Sequence, residues 1–369
     1  MGQGALLAAI VAVGWLAAAS ASANLARAGV GIDFGFFLSQ SGFDISDPPI
    51  PYTASDTYAR AFLVGIINTL TLAVTSIAAA TIVGVLAGVV LVSGNPLAEA
   101  AMRAYVGAMR NLPKLVLLLA VYVALVAGLP NVRAALHPLP GVFISNRGLH
   151  LPAPTEVAWA GWHVASIAGG LIGAWAAARW AGRRRTAGLR TPPPAALAVA
   201  ALAAGVLLPI LSGGAAAWSI PALEGFDFAG GMLVSLAFVA LWLTLTFYHG
   251  AQIAEVVRGG IEAVPRGQWD AALALGLTPR QRMWSVILPQ VARSILPPLT
   301  SQYLNLLKNT SIGLAVGYTE FLAVGGTAIN QSLRSVEVMT LVMSVYLAIG
   351  LVIAQAMNAL NTRLRRGVA

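Results

Sequence analysis

Gly267-Gln268-Trp269-Asp270-Ala271-Ala272-Leu273-Ala274-Leu275-Gly276-Leu277-Thr278-Pro279-Arg280-Gln281 is the most informative run in the chain. Asp270 to Leu275 is a series of good helix formers that stops at Gly276, a residue suited to the left-handed position after a helix. Thr278 then offers a side-chain cap, Pro279 fits the first helical position, and Gln281 stands where it completes a capping box. The spacing predicts helix, glycine turn, helix, the second carrying Met283, Trp284, Ile287 and Leu288 until Pro289 ends it. This pair is too short and too polar to cross a bilayer, and Trp269, Leu273 and Met283 give it an apolar face. Such a hairpin suits insertion into a groove on a partner protein, and equally a position flat on an anionic membrane surface.

The sequence on either side is membrane-spanning in character. Of 369 residues, 58% are hydrophobic and only 9% charged, with a mean hydropathy of +0.79, whereas water-soluble domains carry about 25% charged residues. An ordinary soluble enzyme is excluded. Apolar runs of span length fall at about 5–26, 62–92, 113–130, 157–180, 195–213, 229–254, 294–318 and 337–360. The fold expected is an all-α polytopic membrane protein with about eight transmembrane helices, its run at 62–92 long enough for one tilted helix or two re-entrant pieces.

Charge sets the orientation. With a cytoplasmic N-terminus, the external loops hold only Arg27, Arg60, Arg133, Arg147 and Arg334, and Lys308 falls inside a span. The other sixteen of the 22 basic residues, Arg103, Arg110 and Lys114 among them, lie on the cytoplasmic side. That bias places both termini in the cytoplasm, and nine of the 13 acids, including Glu320 and Glu337, fall outside. Ala18-Ala19-Ser20-Ala21-Ser22-Ala23 resembles a signal cleavage region, but Met1-Gly2-Gln3-Gly4 lacks the positive start of a signal, so an uncleaved first span is preferred. The net charge of +9 is spread over short loops and does not form a nucleic-acid patch. Zero cysteines exclude disulfides and thiolate chemistry.

Gly267-Gln268-x-Asp270-Ala271-Ala272-x3-Gly276, followed by Val286-Ile287-Leu288-Pro289-Gln290, resembles the EAA signature of ATP-binding-cassette importer permeases of the polar amino-acid subfamily. Glu255-Val256-Val257-Arg258-Gly259-Gly260-Ile261 and Lys308-Asn309-Thr310-Ser311 also look like that subfamily. The stretches Gly31 to Phe37 and Ser55 to Gly65 resemble the longer, eight-span general L-amino-acid permeases. The departures are Asp270 for the signature's Glu and Val286 for its Ile. In the first cytoplasmic loop Met109 takes an aromatic place, Gly107 an acid's, and Lys114 and Leu117 those of an aliphatic residue and a Gln.

The resemblance implies a type I ABC importer permease fold and a transport subunit that is no enzyme and carries no cofactor. Its implied organisation is an N-terminal span and periplasmic loop (1–61), two core parts (62–130 and 229–362), an inserted pair of spans (131–228) and a basic tail (363–369). The loop 262–290 would dock on a cytoplasmic ATPase dimer through Asp270, Ala271, Ala272, Gly276, Thr278, Leu288 and Pro289. The other implied partners are a second homologous permease, a periplasmic amino-acid-binding protein, an L-amino-acid substrate and membrane lipid, with no nucleic acid.

The chain cannot drive transport through a P-loop, because its two lysines, Lys114 and Lys308, follow Pro113 and Leu307 and so cannot complete Gly-Lys-Ser/Thr. Its four histidines lack metal-ligand spacing. Polar residues inside the spans, Gln302, Asn305, Lys308, Asn309, Glu255 and His249, are candidates for the translocation path or for ties between helices. Gln302, Asn305, Lys308 and Asn309 fall within about 120° of helix face, and a charge at mid-span costs about 2.5–3.5 kcal/mol unless it meets protein or water. Lys308 is read as a contact for a substrate carboxylate, a cap for carbonyls freed by Pro297-Pro298, or a lock on a partner. Glu255 with Arg258 is a candidate local pair, and Tyr248, His249 and Gln252 lie deeper. Asn68, Thr69 and Thr71 are similar candidates, and Gly325-Gly326-Thr327 suggests a non-helical turn at the external mouth. An ion-coupled secondary transporter, with Lys308 and Glu255 in the coupling, is the competing reading.

Overall fold

The computed structural model describes residues 31–154 apart from 47, residues 218–366, and scattered positions between 4 and 27 and between 173 and 181. The expected span at 195–213, most of those at 5–26 and 157–180, and the last three residues of the tail lie outside the described residues. Two compact units are present: Met1–Val126 with Ser235–Ala369, and Ala127–Val234.

The first unit is helical. Helix α1 (Tyr58–Val90) is capped by the Thr57 side chain and runs unbroken, so the 62–92 region is one helix and not two re-entrant pieces. Helix α2 (Pro96–Asn111) starts on Asn95, whose side chain accepts from the Leu97 and Ala98 amides. Helix α3 (Lys114–Gly128) follows after a bend of 108°. The break sits at Leu112-Pro113, where Leu112 is extended, as the residue before a proline must be. With 15 residues, or roughly 22 Å, α3 is shorter than the expected span at 113–130, and it reaches span length only together with α2, as a broken span or a re-entrant pair.

Next come α4 (Leu236–Glu262), α5 (Arg266–Ala274), α6 (Pro279–Arg282), a π-helical turn (Met283–Ile287) and α7 (Leu288–Asn309). A 3-10 turn (Thr310–Val316) leads to α8 (Phe321–Ser332) and α9 (Ser335–Arg366). Pro289 therefore does not end a helix. It lies in the first turn of α7, which follows the π-helical turn without a break, Ile287 and Leu288 both being right-handed helical. Gly325 to Thr327 lie inside α8, not in a turn. A Cβ at Gly325 would stand 3.1 Å from Val342, so this glycine serves the approach of α8 to α9. Three helices are long and apolar enough to cross a membrane by themselves, and up to five crossings exist among the described residues if each bent pair counts as one.

Small residues join α1 to α4. Gly84-Val85-Leu86-Ala87-Gly88 is a GxxxG pattern, and a Cβ on Gly84 or Gly88 would lie 2.5 Å from Ile253 or 2.6 Å from Val257. Such close approach replaces the hydrophobic drive that lipid cannot supply.

The chain ahead of α1, expected as a periplasmic loop, is a folded cap. Phe36, Phe43 and Ile45 pack with Tyr58, Phe62, Phe321 and Val338. The Arg334 guanidinium donates to the Gly31 carbonyl at 2.7 Å and the Asp33 amide donates to Glu337 at 2.9 Å.

The second unit adds short strands to an otherwise helical chain. Strands β1 (Leu136–Leu139), β2 (Val142–Ser145), β3 (Gly148–Leu151) and β8 (Met232–Ser235) form one sheet in that order. Two hairpin-like pairs accompany it, β4 (Ala153–Pro154) with β5 (Trp218–Ser219), and β6 (Ala222–Glu224) with β7 (Asp227–Ala229). The expected span at 229–254 thus begins only at Leu236, because positive-φ glycines 225, 230 and 231 turn the preceding chain into strands.

Candidate functional site

The helix pair forms as its sequence predicts. Gly276 takes φ +69°, its amide donates to the Leu273 carbonyl and the Leu277 amide to the Ala272 carbonyl, the bond pattern of a Schellman ending. The Thr278 amide donates to Gln281 Oε1 at 2.9 Å while the Gln281 amide donates to Thr278 Oγ1 at 3.3 Å, which closes the capping box. Gln290 Nε2 donates to Gln268 Oε1 at 3.0 Å and ties α5 to the base of α7. Asp270, Ala271, Gly276, Thr278 and Pro289 are exposed, Leu288 is half-buried, and Ala272 is buried. Trp269 and Met283 turn inward onto the core, with Arg282 over the Trp269 ring. The apolar face is therefore Leu273 and Leu275, exposed at 60% and 78%, and not the expected trio.

Above this loop a charge cluster closes the end of α4. Arg258 donates to Glu255 at 2.8 Å and to Glu262 at 2.7 Å, and Arg110 of α2 reaches Glu255 at 3.6 Å. Glu255 is thus enclosed by two guanidinium groups at the root of the loop, as a local tie.

The polar candidates on α7 divide. Asn309 faces inward, where its Oδ1 accepts from Lys114 Nζ at 2.9 Å and its Nδ2 meets His249 Nε2 at 3.0 Å. Gln302 is half-buried and lies within range of His249. Asn305 and Lys308 are exposed on the outer face of this chain. Among the described residues the Lys308 ammonium meets no carboxylate, and no bond of it to a carbonyl near Pro297-Pro298 is present. Sequence reasoning missed Lys114, which it placed in the cytoplasmic loop. Its neighbour His249 is the central residue of α4, and the Lys114 ammonium lies 5.2 Å from the centre of the Tyr248 ring, level with the middle of that helix. The available signal was its place in the motif, where the related pattern carries an aliphatic residue.

Residues 206–366 match the family described as binding-protein-dependent transport system inner membrane component. The General L-amino acid transport system permease protein AapQ of Rhizobium johnstonii is 38% identical over 366 residues, covering 97% of this chain and 90% of its own. The chain belongs to the amino-acid ABC transporter permeases. A second relative of this permease, the Glutamate/glutamine/aspartate/asparagine transport system permease protein BztB of Rhodobacter capsulatus, is 35% identical and covers 94% of this chain and 88% of its own. The crystal structure of an amino acid ABC transporter with histidines superposes with a TM-score of 0.50 at 19% identity, over 83% of this chain and 95% of that one. The permease has the type I ABC importer fold and is a multi-pass transport subunit of the bacterial inner membrane.

In the permease the acid expected outside at Glu320 is fully buried. Its carboxylate accepts from the Leu322 and Ala323 amides at 3.0 and 2.7 Å and from the Tyr346 hydroxyl at 2.8 Å. Asn68 Nδ2 donates to the Thr319 carbonyl, and the Phe321 amide donates to Thr69 Oγ1. Asn68 and Thr69 thus secure the link between α7 and α8, while Thr71 is exposed.

Proposed function

We propose that this permease forms half of the translocation path of an ATP-driven amino-acid importer. A cytoplasmic ABC ATPase dimer docks on the loop 262–290, a second homologous permease completes the path, and a periplasmic binding protein delivers the L-amino acid. Both termini lie in the cytoplasm. The observation that carries this is the doubly capped helix pair presenting Asp270, Leu273 and Leu275 outward. Burying two such leucines in a partner's groove supplies about 1.5–3 kcal/mol each. Because Gln268 is bonded to Gln290 and the π-turn continues into α7, a push on the loop acts on α7 directly, while Arg258 and Glu262 hold the end of α4 at the loop's entry.

The test is uptake of radiolabelled amino acid into vesicles holding the complete transporter. Uptake requiring ATP in the ATPase compartment supports the reading. Uptake driven by an ion gradient with no ATPase present overturns it in favour of a secondary transporter.

A further inference from the structure

Lys114 stands level with the middle of α4, and among the described residues its partners are uncharged: Asn309 Oδ1 and the face of Tyr248, with His249 behind the amide. Among the described residues the acids Glu255 and Glu320 are committed elsewhere, Glu255 to Arg110 and Arg258, and Glu320 to two amides and Tyr346. A half-buried ammonium at this depth is tolerated where it faces water or an anion. The amide between them fixes the polarity of the cluster. With Asn309 Oδ1 accepting from Lys114, its Nδ2 donates to His249 Nε2, and the imidazole proton then sits on Nδ1. That Nδ1 has no hydrogen-bond partner although His249 is only 2% exposed. The ammonium therefore keeps donors that Asn309 does not use, and the ring adds another at Nδ1.

We infer that Lys114 is a carboxylate-binding station on the translocation path, holding the α-carboxylate of the passing amino acid while Asn309 and Tyr248 keep the ammonium in place. The inference rests on the permease reading above and specifies where the substrate is held. A station that grips the group common to all amino acids leaves their side chains unread, so neutral, acidic and basic substrates depend on it alike.

The test uses the complete transporter in vesicles, with L-glutamate, L-glutamine and L-arginine as probes and the variants Lys114→Met, Lys114→Gln and Lys114→Arg. Uptake is normalised to the amount of assembled complex, so a purely structural role would lower assembly and leave uptake per complex intact. Loss of one charge-assisted contact in transit is expected to lower uptake of all three probes about tenfold in the Met and Gln variants, with Arg restoring most of it. The Gln variant keeps a donor for Asn309 and decides the matter if Lys114→Met does not assemble. Wild-type uptake in that variant overturns the inference, as does a loss confined to glutamate, which would mean that a side-chain carboxylate is read. Absence of ATP-dependent uptake in the wild type strikes the permease reading itself, whereas ATP-driven wild-type uptake with an unaffected Gln variant removes only the station.

Discussion

At Gly276 nothing lies within 4 Å of the point where a Cβ would stand, yet φ is +69°, so a substitution there is opposed by the backbone and not by a neighbour. A left-handed L-residue costs roughly 1–2 kcal/mol, more when β-branched. Gly276→Val is expected to lower the amino acid moved per ATP hydrolysed severalfold while the ATPase still co-purifies, and an unchanged ratio would count against the docking geometry. Glu320→Ala leaves two buried amides and the Tyr346 hydroxyl without their acceptor, a loss on the order of 3 kcal/mol. The purified permease should melt several degrees lower, with Glu320→Gln nearer the wild type. Gly276 and the Thr278–Gln281 box were legible in the sequence because both are decided within a few residues of chain. Lys114 was not. Its depth is fixed by the bend at Leu112-Pro113 and by Asn309, which is 195 residues away in the chain.

Among the elements, the seam between α1 and α4 has the narrowest tolerance. Gly84→Leu places a branched side chain where Ile253 and the Gly250 carbonyl already stand within 2.8 Å of a Cβ. Without a hydrophobic force between helices in lipid, the pair has little to offset that clash. The variant should accumulate in the membrane at a small fraction of the wild-type level by immunoblot, whereas Gly107→Ala, which meets nothing within 4 Å, should be neutral. Apolar run length located α1, α4 and α9 in the sequence, since burial in lipid requires that length. It misjudged the chain from 229 to 235, where the apolar content is similar but glycines 230 and 231 impose strand turns. The aromatic cap at 31–57 was likewise invisible, because Phe36 and Phe43 find their partners on α1, α8 and α9.

For the whole molecule, the lack of native cysteine makes orientation measurable with single introduced thiols. Arg280→Cys on the exposed face of α6 should react with an impermeant maleimide only from the cytoplasmic side and become protected when the ATPase is added. Ser55→Cys should react only from the periplasm. Reversed labelling would invert the topology that the distribution of Arg and Lys implies. The strand pairing bears on the same scale. Ala153 and Pro154 lie opposite Ser219 and Trp218, which brings Pro154 and Trp218 about 5 Å apart. Two strands joined so closely should tolerate a swap of connection: replacing the chain between Pro154 and Trp218 by a tight turn is expected to leave the register of both flanks as it was.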